Sequence, residues 1–191
     1  MFKDLVVKNR SYRKFMETPR ITREQMASYV DTARFAPASV NIQPLKYRLV
    51  SDPAECAALF PLTGWARMLP DFPGPAEGHR PTGYVLICCD TQLAENVARF
   101  NRDIGIAAQT IMLAAVADGF GGCMIGNFSP EKVAALLRLD ARYVPCLILA
   151  LGVPGEEIIL EDAQPGGSVK YYRDKQDVHQ VPKRTLDEIL L

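Results

Sequence analysis

Histidine is nearly missing from this chain: of 191 residues only His79 and His179 carry an imidazole, and they stand far apart. A Ser–His or Cys–His nucleophilic pair therefore has little to be built from. His79 falls in a Pro/Gly-rich stretch and His179 near the C-terminus, and both read as solvated histidines. The five cysteines, Cys56, Cys88, Cys89, Cys123 and Cys146, are odd in number and form no C-x-x-C pair. A zinc site would need closer ligand spacing and more histidine. Four of the five lie inside apolar runs and read as small buried hydrophobes, which leads us to expect a reducing, cytoplasmic setting. Charge of one sign is also missing: 22 Lys and Arg face 22 Asp and Glu. That balance argues against a protein that binds nucleic acid or an anionic membrane with its whole surface. The longest apolar run, Val144–Val153, falls well short of the roughly 20 residues of a membrane helix. The first fifteen residues hold no long apolar stretch, so no signal peptide is expected. The common phosphate, zinc-protease and serine-hydrolase motifs are absent as well, including G-x-G-x-x-G after a strand. If this is an enzyme, the chemistry is expected to come from a cofactor.

What is present is an ordinary globular composition, 48% apolar and 23% charged, in a chain whose length predicts one domain over residues 1–191. Phe2, Leu5 and Val6 share a helical face over residues 2–8. Thr22-x-x-Gln25 reads as a capping box opening a helix that runs to about Phe35, where Ala36-Pro37 ends it. Strands are expected at Lys46–Val50, Gly83–Cys89, Gly121–Gly126 and Val144–Gly152, with a short helix at Pro53–Leu59. Ser129-Pro130-Glu131 is a helix start with Ser as N-cap, Pro in the first position and an acid in the first turn. Residues 61–82 are rich in proline and glycine and are expected to form a surface loop or lid. Leu93–Asp118 reads as one long helix. Its second half is apolar or small almost all round, which calls for burial on every side, in the core alone or in the core plus a subunit interface. Beyond Val153 the pattern is weak until Leu186–Leu191. Val169, Tyr171, Tyr172, Val178 and Val181 nevertheless argue that residues 165–191, a C-terminal extension, lie against something.

Neutrality overall hides local charge. Residues 1–20 hold Lys3, Lys8, Arg10, Arg13, Lys14 and Arg20 against Asp4 and Glu17, and residues 165–184 hold Lys170, Arg173, Lys175, Lys183 and Arg184 against Asp174 and Asp177. Between them, residues 153–162 carry Glu156, Glu157, Glu161 and Asp162 and no base. Arg10-Ser11-x-Arg13 offers two guanidinium forks and a hydroxyl, a set suited to phosphate, although a solvated basic face has the same composition. Loop Ala36–Pro44 is stiffened by proline at both ends and alternates Ser39, Asn41 and Gln43 with apolar residues. It reads either as a polar turn or as a fixed array of neutral donors and acceptors.

Five segments in order, N-R-S-Y-R-K-F (9–15), A-P-A-S-V-N-I-Q-P (36–44), D-I-G-I-A-A-Q-T (103–110), G-G-C-M-I-G-N-F (121–128) and V-P-K-R-T-L-D-E-I (181–189), resemble the FMN-dependent nitroreductase family. The resemblance implies an α+β fold, a mostly antiparallel sheet flanked by helices, in an intertwined homodimer whose C-terminal arm lies on the partner. It implies FMN as cofactor and NAD(P)H as co-substrate. The implied reaction is ping-pong hydride transfer through the flavin to a small electron acceptor, a nitroaromatic, quinone or activated alkene, with no obligatory catalytic side chain. The alternatives on the same fold are a flavin-modifying or dehalogenating enzyme, or a non-catalytic flavin-binding dimer. By resemblance Arg10, Ser11 and Arg13 form the N-terminal flavin motif, with Arg10 on phosphate and Arg13 nearer the ring. Lys183 and Arg184 complete the phosphate site. Ser39, Asn41 and Gln43 approach from the other subunit, and Met124, Ile125 and Gly126 back the flavin ring. Asp103 reaches the ribityl chain, and Trp65, Phe72 and Phe128 are candidates for the acceptor side. Two departures stand out: Asn9, where many members have arginine, and Gly126, where an acid is common.

Overall fold

Two long strands organise the fold. Gly83–Asp90 is buried at every position, and Tyr143–Pro154 runs antiparallel beside it. The computed structural model describes residues 1–69 and 72–191; Pro70, within the Pro/Gly-rich stretch 61–82, lies outside them. In chain order the elements are α1 (Phe2–Lys8), β1 (Phe15–Met16), α2 (Arg23–Ala33), β2 (Leu45–Val50), α3 (Pro53–Leu59), β3 (Gly83–Asp90), α4 (Asn101–Ala117), β4 (Gly121–Ile125), α5 (Pro130–Leu136), β5 (Tyr143–Pro154), β6 (Ile158–Asp162), β7 (Tyr172–Arg173), β8 (His179–Lys183) and α6 (Leu186–Ile189). Strand β3 lies between β2 and β5. Beyond β5, β4 pairs with Ile148–Gly152 and β1 with Val153–Pro154, all antiparallel.

The period of two along these strands divides the core. Val85, Ile87, Leu149 and Leu151 point to one face, where α2 and α4 supply Met26, Tyr29, Ile104, Ala108, Ile111 and Met112. Tyr84, Leu86, Cys88, Ile148 and Ala150 point to the other, against Phe15, Leu59, Trp65, Val133 and Leu137. A helix layer on each face explains why β3 reads as an unbroken apolar run rather than an alternating one. The helix starts follow their caps. Thr22 Oγ1 accepts from Gln25 N at 3.1 Å while Gln25 Oε1 accepts from Thr22 N at 2.9 Å, and Ser129 caps α5 with Pro130 in its first turn.

Two expectations change and one is narrowed. Helix α4 starts at Asn101, not Leu93. Leu93 N and Ala94 N turn onto the Asp90 carbonyl at 3.0 Å, and a 3-10 turn, Val97–Phe100, follows. Burial of Ala94 and Phe100 against Cys89 outweighs the helical propensity of residues 93–99. Within one chain the second half of α4 is not covered on every side, which leaves the core-plus-interface alternative in place of the core alone. Ile104, Ala107, Ala108, Ile111, Met112 and Ala115 are buried, whereas Gly105 has open space beside it and Ile106 is 41% exposed. Finally, the chain beyond Pro154 is ordered into a small sheet. Strand β8 runs parallel to β6, from Ile158↔His179 to Asp162↔Lys183, and β7 joins β8 on its other side. Residues 172–183 of the expected arm therefore pair within their own chain. Leu186, Ile189, Leu190 and Leu191 remain exposed beyond them.

Four cysteines are buried, Cys146 is half-buried and all five are free. Burial raises every one of the thiols above its ordinary range, Cys56 and Cys146 to about 11 and Cys88 to about 12. Among the described residues no cluster of three metal-ligating side chains occurs, and no helix is long and apolar enough to cross a membrane.

Candidate functional site

Helix α1 ends in the extended residue Asn9, and the next five residues lie along the end of the sheet. Ser11 pairs with Gly122 as an isolated parallel bridge, Tyr12 N donates to the Gly122 carbonyl at 2.9 Å, and Phe15 enters β1. Gly121 permits this closeness: a Cβ there would sit 2.6 Å from the Tyr12 ring. The N-terminal motif is thus placed where β4 begins.

Beside it lies a cavity of about 360 Å³ lined by Asn9, Arg10, Ser11, Arg13, Gln109, Met112, Met124, Ile158, Tyr171, His179, Val181 and Lys183. Its wall carries the cations of Arg10, Arg13 and Lys183 and no carboxylate. The Nε atoms of both arginines are buried without a hydrogen-bond partner. Arg10 donates from Nη2 to the Val6 carbonyl at 2.8 Å, and burial lowers its pKa. Arg13 lies over the Tyr171 ring, 4.9 Å from its centroid. Unpaired guanidinium groups around a void make an anion site. A second cavity, about 400 Å³, lies between α2 and α4 under loop 36–44. Its lining includes Asp31 and Asp103 against Arg34 and Lys46, so it lacks the uncompensated positive charge, and the smaller cavity is the better candidate.

The expected residues divide between places. Arg10, Ser11, Arg13, Met124 and Lys183 are brought together. Ile125 is buried on the opposite face of the sheet, in the core with Val133. Space beside Gly126 is open. Arg184 turns away from the cavity and pairs with Glu188 at 3.5 Å. Gln43 lines the second cavity, and in one chain Ser39 and Asn41 do not reach the first. Their loop is strained: Val40, Asn41 and Gln43 have φ of 45°, 56° and 55°, in a region that costs roughly 1–3 kcal/mol per non-glycine residue. Asp103 clamps it, accepting from Ser39 N at 2.9 Å and from Ser39 Oγ at 2.5 Å. Both Asp103 oxygens are thus engaged by the loop rather than aimed at a cofactor chain. Trp65 is a core residue, edge-on to Phe15 at 6.5 Å. Phe72 lies under the Arg173 guanidinium, and Phe128 is partly buried in the core.

Sequence reasoning missed Tyr171 as a wall residue and misread His179. His179 is 1% exposed, its ring 5.3 Å from that of Tyr171 and its Nδ1 without a hydrogen bond. The apolar residues of 169–181 were the available signal. Burial, and next the Arg13 charge, bring its pKa from 6.5 down to about 4, against the opposing pull of Glu156. The folded chain therefore binds this proton only near pH 4, and the unfolded chain binds it near 6.5. Stability owed to neutral His179 is fully present above that value and falls as pH drops toward 4. Chemical unfolding of wild type and His179→Phe at pH 7 and pH 4.5 checks this. Wild type is expected to lose more stability between the two than the variant does, and equal losses would contradict it.

The model of the nitroreductase family matches residues 6–70 and 90–153. The chain belongs to the nitroreductase family. A Bacillus subtilis protein provisionally named as an NAD(P)H nitroreductase, YdgI, is 26% identical to this nitroreductase over 191 residues, covering 82% of this chain and 90% of that protein. A Pseudomonas Cr(VI) reductase is 25% identical over 187 residues, covering 88% and 73%. A nitroreductase-type protein from Exiguobacterium sibiricum, solved in complex with FMN, shares the fold with a TM-score of 0.69 at 21% identity, covering 82% of this chain and 89% of its own.

Proposed function

We propose that this nitroreductase is an FMN-dependent NAD(P)H oxidoreductase, and that the cavity between the N-terminal motif and β8 holds the FMN. The observation that carries the proposal is the cavity wall, three cations with two unpartnered Nε atoms and no carboxylate. That donor set fits a phosphate dianion, and the apolar part of the wall, Met112, Met124, Ile158 and Val181, fits a planar aromatic group. Arg10 and Lys183 hold the phosphate. Ser11 supplies a hydroxyl, and Arg13, braced by Tyr171, sets positive charge beside the ring, where it favours the reduced anionic form. Met124 and the neighbouring β4 backbone would help hold the ring. FMN bound there would supply two-electron redox chemistry between a reduced nicotinamide and a nitroaromatic, quinone or activated alkene, in a ping-pong cycle.

A homodimer belongs to the same proposal. The uncovered strip of α4 at Gly105 and Ile106 lies open with Phe2, Val7 and Phe35 also exposed, an apolar surface suited to a second copy. Ser39, Asn41 and Gln43 then serve the site of that copy, which accounts for a strained, clamped loop that does not reach the cavity of Arg10, Arg13 and Lys183 in its own chain.

The purified protein incubated with FMN and desalted is expected to be yellow, and NADH or NADPH added without oxygen is expected to bleach it. A colourless product would overturn the FMN assignment. A yellow product that neither nucleotide bleaches would overturn the oxidoreductase.

A further inference from the structure

The acidic run between β5 and β6 is not consumed by the proposed site, yet one member of it is the most enclosed carboxylate nearby. The Glu156 side chain is 2% exposed. Its Oε1 accepts from the backbone N–H of Arg13 and, at 3.1 Å, from that of Lys14. Its Oε2 accepts from Arg173 Nη2 and lies 4.0 Å from His179 Nδ1. Gly155 makes the approach possible. Its N–H donates to the Lys14 carbonyl at 2.9 Å, and a Cβ at that position would lie 2.7 Å from the Phe15 carbonyl carbon.

Three distant stretches of chain, 13–14, 155–157 and 173–179, thus meet at a single carboxylate. Two of them carry the cavity wall: Arg13 on the first, Tyr171 and His179 at or beside the last. Glu156 itself does not line the cavity. It grips Arg13 by the backbone, and among the described residues the Arg13 guanidinium forms no ion pair, so its charge stays available to a ligand. A buried carboxylate is tolerated only when its partners are held in place, and the constraint works in both directions: the carboxylate fixes the partners.

We propose that Glu156 is the positioning residue of the flavin site, holding the N-terminal motif and the β7–β8 arm in register so that Arg13, Tyr171 and His179 form one wall. The proposal rests on the FMN reading above only for the identity of the ligand. The joining of the two segments can be measured without any flavin.

The test compares wild type, Glu156→Gln and Glu156→Ala by hydrogen exchange of the flavin-free protein, by FMN titration and by thermal melting. Glutamine keeps an oxygen for the Arg13 and Lys14 N–H groups but drops the charge that Arg173 pairs with. Glu156→Gln should therefore speed exchange in residues 171–181 while sparing 10–16, and weaken FMN binding by roughly three- to tenfold, the loss of a modest fraction of a charged hydrogen bond. Glu156→Ala should speed exchange in both segments and weaken FMN binding by roughly thirtyfold or more. A residue that only added stability would lower the melting temperature and leave the FMN affinity, read well below melting, within twofold of wild type. That result, or unchanged exchange in both segments, overturns the proposal. If the alanine variant does not fold, the glutamine variant decides by the same readings. Failure of wild type to bind FMN would sink the flavin reading alone, with the exchange data still deciding whether Glu156 joins the two segments.

Discussion

Arg10→Ala is expected to weaken FMN binding by roughly ten- to a hundredfold, the size of one or two charge-assisted hydrogen bonds to phosphate. Lys3→Ala is expected to leave binding unchanged. Both cations belong to the same N-terminal cluster, so the contrast separates a specific contact from general positive charge. Lys3 is exposed on α1. Arg10 is anchored by its Nη2 to the Val6 carbonyl, carries a buried Nε without a partner and borders the cavity. One end of the guanidinium is already fixed, so little side-chain entropy is lost when an anion arrives. Titration by quenching of flavin fluorescence measures both variants, and equal affinities would show that phosphate does not sit beside Arg10.

Phe15→Ala is expected to cost about 3–5 kcal/mol of stability, the range for a large aromatic removed from a packed core. For a chain of this size that lowers the melting temperature by roughly 6–20 °C. Phe15 is fully buried and lies edge-on to Trp65, and its ring occupies the room that the missing side chain of Gly152 leaves open. It sits two residues after Arg13, so the core and the phosphate motif share one short stretch of chain. Trp65 is the only tryptophan, and its fluorescence reports directly on the vacated space. A loss below about 1 kcal/mol would mean that the site collapses around the alanine.

Elements with strong local signals were legible in the sequence. The capping box at Thr22 and Gln25, the Ser129-Pro130 start and the apolar runs of β3 and β5 each contain their own instructions, and the structure follows them. Strands β6 and β8 were not legible. They are short and parallel, joined by a connection from 163 to 178 that contains β7, and their pairing partners are other short strands of the same small sheet. His179 was misread for the same reason, because its burial is created by Tyr171 and Glu156, both distant in spacing or type from any local pattern. The start of α4 was lost to a tertiary preference, the burial of Phe100. At the site, Arg10, Ser11, Arg13, Met124 and Lys183 were legible through family resemblance, and the cavity unites them. Composition alone gave no means of separating Lys183 from Arg184, since only the fold decides which of two adjacent bases faces inward.

The buried cysteines bear on durability. Quinones and activated alkenes are themselves alkylating agents, and what they attack on proteins is the thiolate. A chain whose thiols are raised to about 11 or 12 at Cys56, Cys88 and Cys146, and also raised at Cys89 and Cys123, offers almost none at neutral pH. Under the acceptor classes proposed above, the chain would therefore present such electrophiles with little thiolate to alkylate.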